Sequence, residues 1–363
     1  MKSLFDKTRL NTLSLRNRCV RSATWDGMAD EKGHPRRAHE RIYEELAAGG
    51  IGLIVTGVAS VLGPTPGMPG MFGIYDDEFI GEYERITSRV HRHNVPIVMQ
   101  ISYQGSQGSV TTAGRRLWGL SAIENRATGI TPKEMTKGDI SLLVASYAQA
   151  AGRAKEAGFD GVQLHAAHGF FLSQSLSRYY NRRSDEYGGS TRNRARLLYE
   201  VCTAVRETVG NEYLLMVKVD GEGLPEGGPV LEESVAICQG LQECGIDAIE
   251  VSGREGTVRT DLERPEDQSY YAPQATRIAE QLSIPVLLVG GNRDPRLLEE
   301  VLNTTPVEHL SFSRPLIREP DLVRRWQSGD LTAATCTSCN WCMENAARGE
   351  NLACVFEKDE SRT

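Results

Sequence analysis

The segment FDGVQLHAAHGFF (159–171) carries the reading of this fold. Phe159 to Leu164 is a short, largely apolar run of buried-strand length, and it stops at two histidines three residues apart. Polar, titratable side chains at the mouth of a core strand mark the functional end of a parallel α/β protein. Seven more such runs lie on either side: Arg18–Ser22, Ile51–Val58, Pro96–Ile101, Leu214–Val219, Ala248–Ser252, Val286–Val289 and Glu308–Phe312. Several are apolar almost throughout, as strands covered on both faces should be.

Amphipathic stretches fall between them, at His39–Ala48, Glu78–His93, Ile140–Ala157, Thr191–Val209, Leu231–Cys244, Ala272–Gln281 and Pro295–Leu302. Ser190 reads as an N-cap, and Gly158 and Gly245 as C′ residues. Eight strands alternating with helices predict an α/β fold, a (β/α)8 TIM barrel over 1–330, with a cysteine-rich C-terminal extension over 331–363. No GxGxxG follows an early strand, which argues against a dinucleotide-binding Rossmann domain. The long segment Gly105–Pro132 reads as a lid or strap over the barrel mouth.

The 363 residues are 40% hydrophobic and 25% charged, with a net charge of −7, as in a soluble globular protein. That balance argues against nucleic acid as a partner, since phosphate backbones call for a basic face. No window approaches the ~20 apolar residues of a membrane span, and the N-terminus has no leader-like apolar core, so a cytoplasmic location is expected. Cys19, Cys202, Cys238 and Cys244 are scattered and read as buried thiols.

Functional side chains of such a barrel sit at the C-terminal strand ends. Those ends hold Ala23, Thr24 and Trp25, then Gly57, Gln100, His165 with His168, Lys218, Gly290–Gly291–Asn292 and Ser313–Arg314. The late glycine pair and arginine suit a phosphate held by backbone N–H groups. Three alternatives stand beside this reading: a metal on the histidine pair, a structural role for both rings, and Lys218 as a buried ion-pair partner. Asn181–Gly189 reads as an architectural, salt-bridged loop.

The motifs HAAHG and NRRSDEYGGSTRNRARLL within 165–198, with NRCVRSA (17–23), VMQIS (98–102), Lys218, LLVGG (287–291) and SFSRPLIREPDL (311–322), resemble the Old Yellow Enzyme family of FMN-dependent NAD(P)H:flavin oxidoreductases. The resemblance runs from Leu4 to Arg325. It implies an FMN whose pyrimidine edge meets Gln100 and whose N1 region meets Lys218. Its ring would pass the backbone of Ala23, Thr24, Trp25 and Gly57, and its phosphate would meet Gly290, Gly291, Asn292, Ser313 and Arg314. His165 and His168 match the pair that binds a substrate oxygen, with NADH or NADPH as reductant and an electron-poor small molecule as acceptor.

Three positions depart from the family pattern. Phe170 stands where many members have the tyrosine credited with proton donation, which leaves Tyr103 or water as donor. Trp25 replaces a Thr or Cys, and Ser313 a glycine. The tail adds Cys336, Cys339, Cys342 and Cys354, in C-x2-C-x2-C-x11-C spacing suited to an iron–sulfur cluster. Multidomain relatives resembling 2,4-dienoyl-CoA reductase and trimethylamine dehydrogenase carry a [4Fe–4S] cluster in a similar place. Zinc and a metal-free thiol cluster are the alternatives. The expected function is reduction of enones, enoates, dienoyl or nitro compounds. The alternative is an electron-transfer subunit serving a protein partner, and a homo-oligomer stays open.

Overall fold

The computed structural model describes residues 1–63, 67–108, 117–223, 227–253, 259–260, 262, 264 and 267–356. Eight parallel strands close on themselves: β1 (Cys19–Arg21), β2 (Leu53–Ser60), β3 (Ile97–Ser102), β4 (Gly161–Ala166), β5 (Leu214–Asp220), β6 (Ala248–Ser252), β7 (Val286–Val289) and β8 (His309–Phe312). Closure is direct, because β1 pairs with both β8 and β2. The fold is the (β/α)8 barrel that the alternation predicts.

Two-residue periodicity sorts each strand. In β4, Val162, Leu164 and Ala166 join the large apolar layer beneath the helices. Inward-facing Val20, Leu53, Val55, Val98, Leu214, Met216, Ala248 and Leu287 form a second, smaller cluster with Leu10 and Leu15. Those two leucines belong to an antiparallel hairpin, Thr8–Leu10 with Leu13–Leu15, which packs on this interior layer.

Helices α1 (Arg37–Ala48), α2 (Ile80–His91), α3 (Lys137–Glu156), α4 (Thr191–Val209), α5 (Leu231–Glu243), α6 (Ala272–Ala279), α7 (Pro295–Thr304) and α8 (Leu322–Gln327) form the outer ring. Ser190 caps α4 through the Asn193 N–H, and Gly158 and Gly245 take positive φ after α3 and α5, as their positions imply. Part of the expected strap, 109–116, lies outside the described residues. The remainder is tied down: Trp118–Gly119 pairs with Lys133–Glu134, and the Arg183 guanidinium donates to the carbonyls of Leu120 and Met135 while bridging to Asp185. The loop 181–189 is therefore architectural. No helix among the described residues is long and apolar enough to cross a membrane.

Candidate active site

At the C-terminal ends of the strands a cavity of about 360 Å³ opens, lined among others by Ala23, Trp25, Gln100, Lys218, Tyr270 and Met343. The remaining sequence-derived residues on its wall are Thr24, His165, His168, Gly290, Gly291, Asn292, Ser313 and Arg314, with Phe170 beside the histidines. Residues as far apart as Ala23 and Met343 thus converge on one volume, because the barrel register brings the strand ends to the same rim.

The histidine pair is built by a tight turn. His168 and Gly169 both take positive φ, +61° and +79°, folding the chain back so that the two imidazoles sit 5.1 Å apart and nearly perpendicular. A left-handed backbone is uncommon for a non-glycine residue, though histidine tolerates it better than most; here the His168 N–H donates to both carboxylate oxygens of Asp220, at 3.1 and 3.0 Å. Ser173 also donates to Asp220, and His168 Nε2 lies 2.8 Å from Ser252 Oγ. Burial, the neighbouring His168 and the Lys218 charge hold His165 well below the usual histidine range. Burial, then Lys218, brings His168 down to about 3. Both rings are neutral at pH 7 and act as hydrogen-bonding groups, not as cations. His165 Nδ1 is buried with no partner among the described residues, and the Phe170 ring packs 4.5 Å from its imidazole.

Behind the histidines runs a polar ladder that the sequence reading missed. Gln100 donates to Gln163 at 2.8 Å, and Gln163 donates to Glu250 at 2.9 Å. Glu250 lies 3.3 Å from Lys218, which donates to Ser22 at 2.8 Å. Burial alone would raise the Glu250 carboxyl, but the Lys218 ammonium and the hydrogen bond from Gln163 help to outweigh it and lower its pKa. Lys218 is therefore both the cavity cation and a buried ion-pair member. The missed signal was in the strands themselves: a Gln in GVQLH and a Glu in AIEVS, each at an inward position of a buried strand, where a polar side chain needs a partner.

Two expectations are corrected and a third is narrowed. Tyr103 does not line the cavity: its ring packs against Trp118 and Phe171, and its hydroxyl accepts the Trp118 N–H. Burial pushes that phenol up to about 12, which makes it a poor proton donor. Gly57 faces a second cavity instead, and Val58 takes its place on the wall; the β2–β3 pairing shifts register between Val55 and Val58, re-aiming the strand end. The Asn292 side chain is occupied by Leu288, Ser311 and Ser269, so only its backbone is available to a ligand.

The residues suit FMN. Gly290 and Gly291 adopt φ of +120° and +73°, and a Cβ on either would meet the Tyr270 ring at 2.7–2.8 Å, so this strand end offers bare backbone. Arg314 supplies a guanidinium beside it, Lys218 a cation midway, and Gln100 an amide. The four tail cysteines line one small cavity with Arg314 and Arg318, although no group of three or more potential ligands among the described residues is drawn close enough for a single metal ion.

The model of the NADH:flavin oxidoreductase / NADH oxidase family matches residues 3–332. This chain belongs to that family. Among family relatives, a metal reductase of Desulforamulus reducens is 32% identical across the whole of this chain and 54% of its own length. An NADPH dehydrogenase of Geobacillus thermodenitrificans is 33% identical over 87% of this chain and 91% of its own. The chain thus spans about half of the first relative and nearly all of the second. An old yellow enzyme homologue from Zymomonas mobilis superposes with a TM-score of 0.79 at 26% identity, covering 93% of this chain and 96% of its own. The family model stops before Cys336, whereas the metal reductase aligns through the tail.

In this family member the buried neutral histidines carry a cost in acid. His165, His168 and His309, the last also pushed down to about 3, sit below the ordinary 6.5 in the folded state. The unfolded chain therefore binds more protons, and their stability contribution is complete above pH 6.5 and lost as pH falls toward 3. Urea unfolding between pH 7 and 5 should show stability falling by about 1.4 kcal/mol per pH unit for each histidine below that point. A flat profile would mean that the rings titrate in the fold as they do in the unfolded chain.

Proposed function

We propose that the chain is an FMN-dependent NAD(P)H oxidoreductase that reduces electron-poor alkenes such as enones and enoates, with nitro compounds as further acceptors. What carries this reading is one cavity holding a neutral histidine pair, a cation and an arginine–glycine phosphate cradle. Bound FMN would supply hydride acceptance from NAD(P)H and hydride donation to the acceptor. Gln100 would orient the pyrimidine edge, and Lys218 would favour negative charge beside it. Arg314 and the backbone of Gly290 and Gly291 would bind the phosphate. His165 and His168 would donate to the acceptor's oxygen, stabilising the charge that develops there. Phe170 contributes no proton, and Tyr103 is sealed away, so the proton to carbon is assigned to water.

The tail 331–363 is read as a separate cofactor segment in which Cys336, Cys339, Cys342 and Cys354 hold a [4Fe–4S] cluster, with zinc as the second choice. A cluster would add one-electron transfer to the site. It would also support the alternative role as an electron-transfer subunit with a protein partner. Trp341, 58% exposed and lying between Cys339 and Cys342 in sequence, would be available to such a partner. The test is an absorption spectrum of anaerobically purified protein with iron and acid-labile sulfide assays. Flavin bands with iron and sulfide support both parts. A protein that stays colourless after FMN addition would overturn the first, and zinc or no metal would overturn the cluster.

A further inference from the structure

Arg314 stands in the wall between the two cavities, lining both the large one and the one ringed by the tail cysteines. Ser338 lines both as well and is almost fully buried. The two edges of the arginine differ. Nη1 donates to the carbonyl oxygens of Arg259 at 2.9 Å and Ser338 at 3.2 Å, and to Asn340 Oδ1. The Nε–Nη2 edge, the fork that suits a phosphate in bidentate fashion, has no hydrogen bond to the described residues.

The tail side of this contact is conformationally demanding. Ser338 and Asn340, on either side of Cys339, both have positive φ, +59° and +65°. Such backbone persists only where surrounding contacts hold it. Arg314 supplies side-chain contacts to both residues, while the Asn340 carbonyl also accepts the Met343 and Glu344 N–H groups. A second arginine reinforces them: Arg293 also lines the large cavity, exchanges hydrogen bonds with Ala334 through its carbonyl and Nη2, and sits two residues beyond Gly291.

We infer that Arg314 is a positioning residue that couples phosphate occupancy of the flavin site to the geometry of the cysteine loop. A phosphate on its free edge restrains the guanidinium, which in turn holds Ser338 and Asn340 in the strained turn that presents Cys339. Linkage is reciprocal, so an ordered loop tightens FMN binding by the same factor. The inference rests on the flavin reading above and adds to it a dependence on the phosphate, not on the ring.

The test compares FMN with riboflavin, which has the ring and lacks the phosphate, on the flavin-stripped full-length chain. Flavin fluorescence quenching reports binding. Amide hydrogen exchange of 334–343, read by mass spectrometry at saturating flavin, reports the loop, with 165–172 as the reference that both flavins should protect. FMN is expected to slow exchange in 334–343 about fivefold or more, the low end of allosteric coupling, and riboflavin is expected to leave it unchanged. In Asn340→Ala, FMN should still quench while its protection of the loop drops at least severalfold. Equal protection by both flavins, no protection by FMN, or unchanged protection in Asn340→Ala overturns the coupling and leaves the flavin reading intact. Absence of quenching by either flavin overturns both.

Discussion

A variant carrying His165→Ala and His168→Ala is expected to bind FMN as tightly as the parent but to lose most of its recognition of oxygen-bearing ligands. The flavin contacts proposed above come from Gln100, Lys218, Gly290, Gly291 and Arg314, none of which bonds either imidazole. The acceptor's oxygen, by contrast, would take its donors from this pair in the proposed reading. Loss of one preorganised donor to a developing oxyanion costs about 10²–10³ in rate. Two donors on one atom act as a unit, so the double variant should fall only moderately further. Stopped-flow oxidation of the reduced enzyme by an enone measures the rate, and titration with a phenol, followed by its long-wavelength absorption, measures ground-state binding. Because His168 has φ +61°, His168→Asn is the cleaner single change: asparagine tolerates this backbone better than alanine. Phenol affinity and enone rate both unchanged in the double variant would remove the pair from this role.

The second large effect is expected at Glu250, a residue with no solvent exposure. Glu250→Gln preserves shape and the ability to accept from Gln163, but it leaves the Lys218 ammonium without its counter-charge. Breaking a buried pair by removing one partner typically costs about 3–5 kcal/mol. For a chain of this length, at about 2 cal/mol/K of unfolding entropy per residue, that is a drop in Tm of roughly 4–7 °C. Adding Lys218→Met should recover much of the loss, because the stranded charge is then gone. Thermal unfolding of parent, two single variants and the double variant measures the coupling. If the two single losses simply add, Lys218 and Glu250 do not depend on each other, and the 3.3 Å contact is not an energetic pair.

Some of this molecule was readable along the chain because the relevant physics is local. A barrel strand buried on both faces must be a short apolar run, and eight such runs with amphipathic segments between them specify the alternation. The rim of the candidate site was readable for the same reason, since barrel chemistry gathers at strand C-termini, where His165, Lys218, Gly290 and Arg314 sit. Gln163 and Glu250 escaped notice as isolated polar letters in apolar words. Their meaning depends on inward orientation and on register, with Gln100 opposite Gln163 and Lys218 opposite Glu250. Asp220 escaped likewise, because its partner is the backbone of His168, 52 positions away.

Tyr103 and Gly57 show the converse. Both sit near strand ends, but the alternation points only Gly57 inward, with Leu53 and Val55; Tyr103 shares the parity of Ile97, Met99 and Ile101 in the outer apolar layer. Packed neighbours hold Tyr103 there, and an irregular register diverts Gly57. The sequence by itself determined the barrel, the pairing of histidines at one strand mouth and the crowding of four cysteines in the tail, because periodicity and spacing are properties of the chain. Which polar side chains meet, which neutralise each other, and that one arginine lines both the large cavity and the one ringed by the tail cysteines were decided only by tertiary structure, because these depend on distances between residues far apart in sequence.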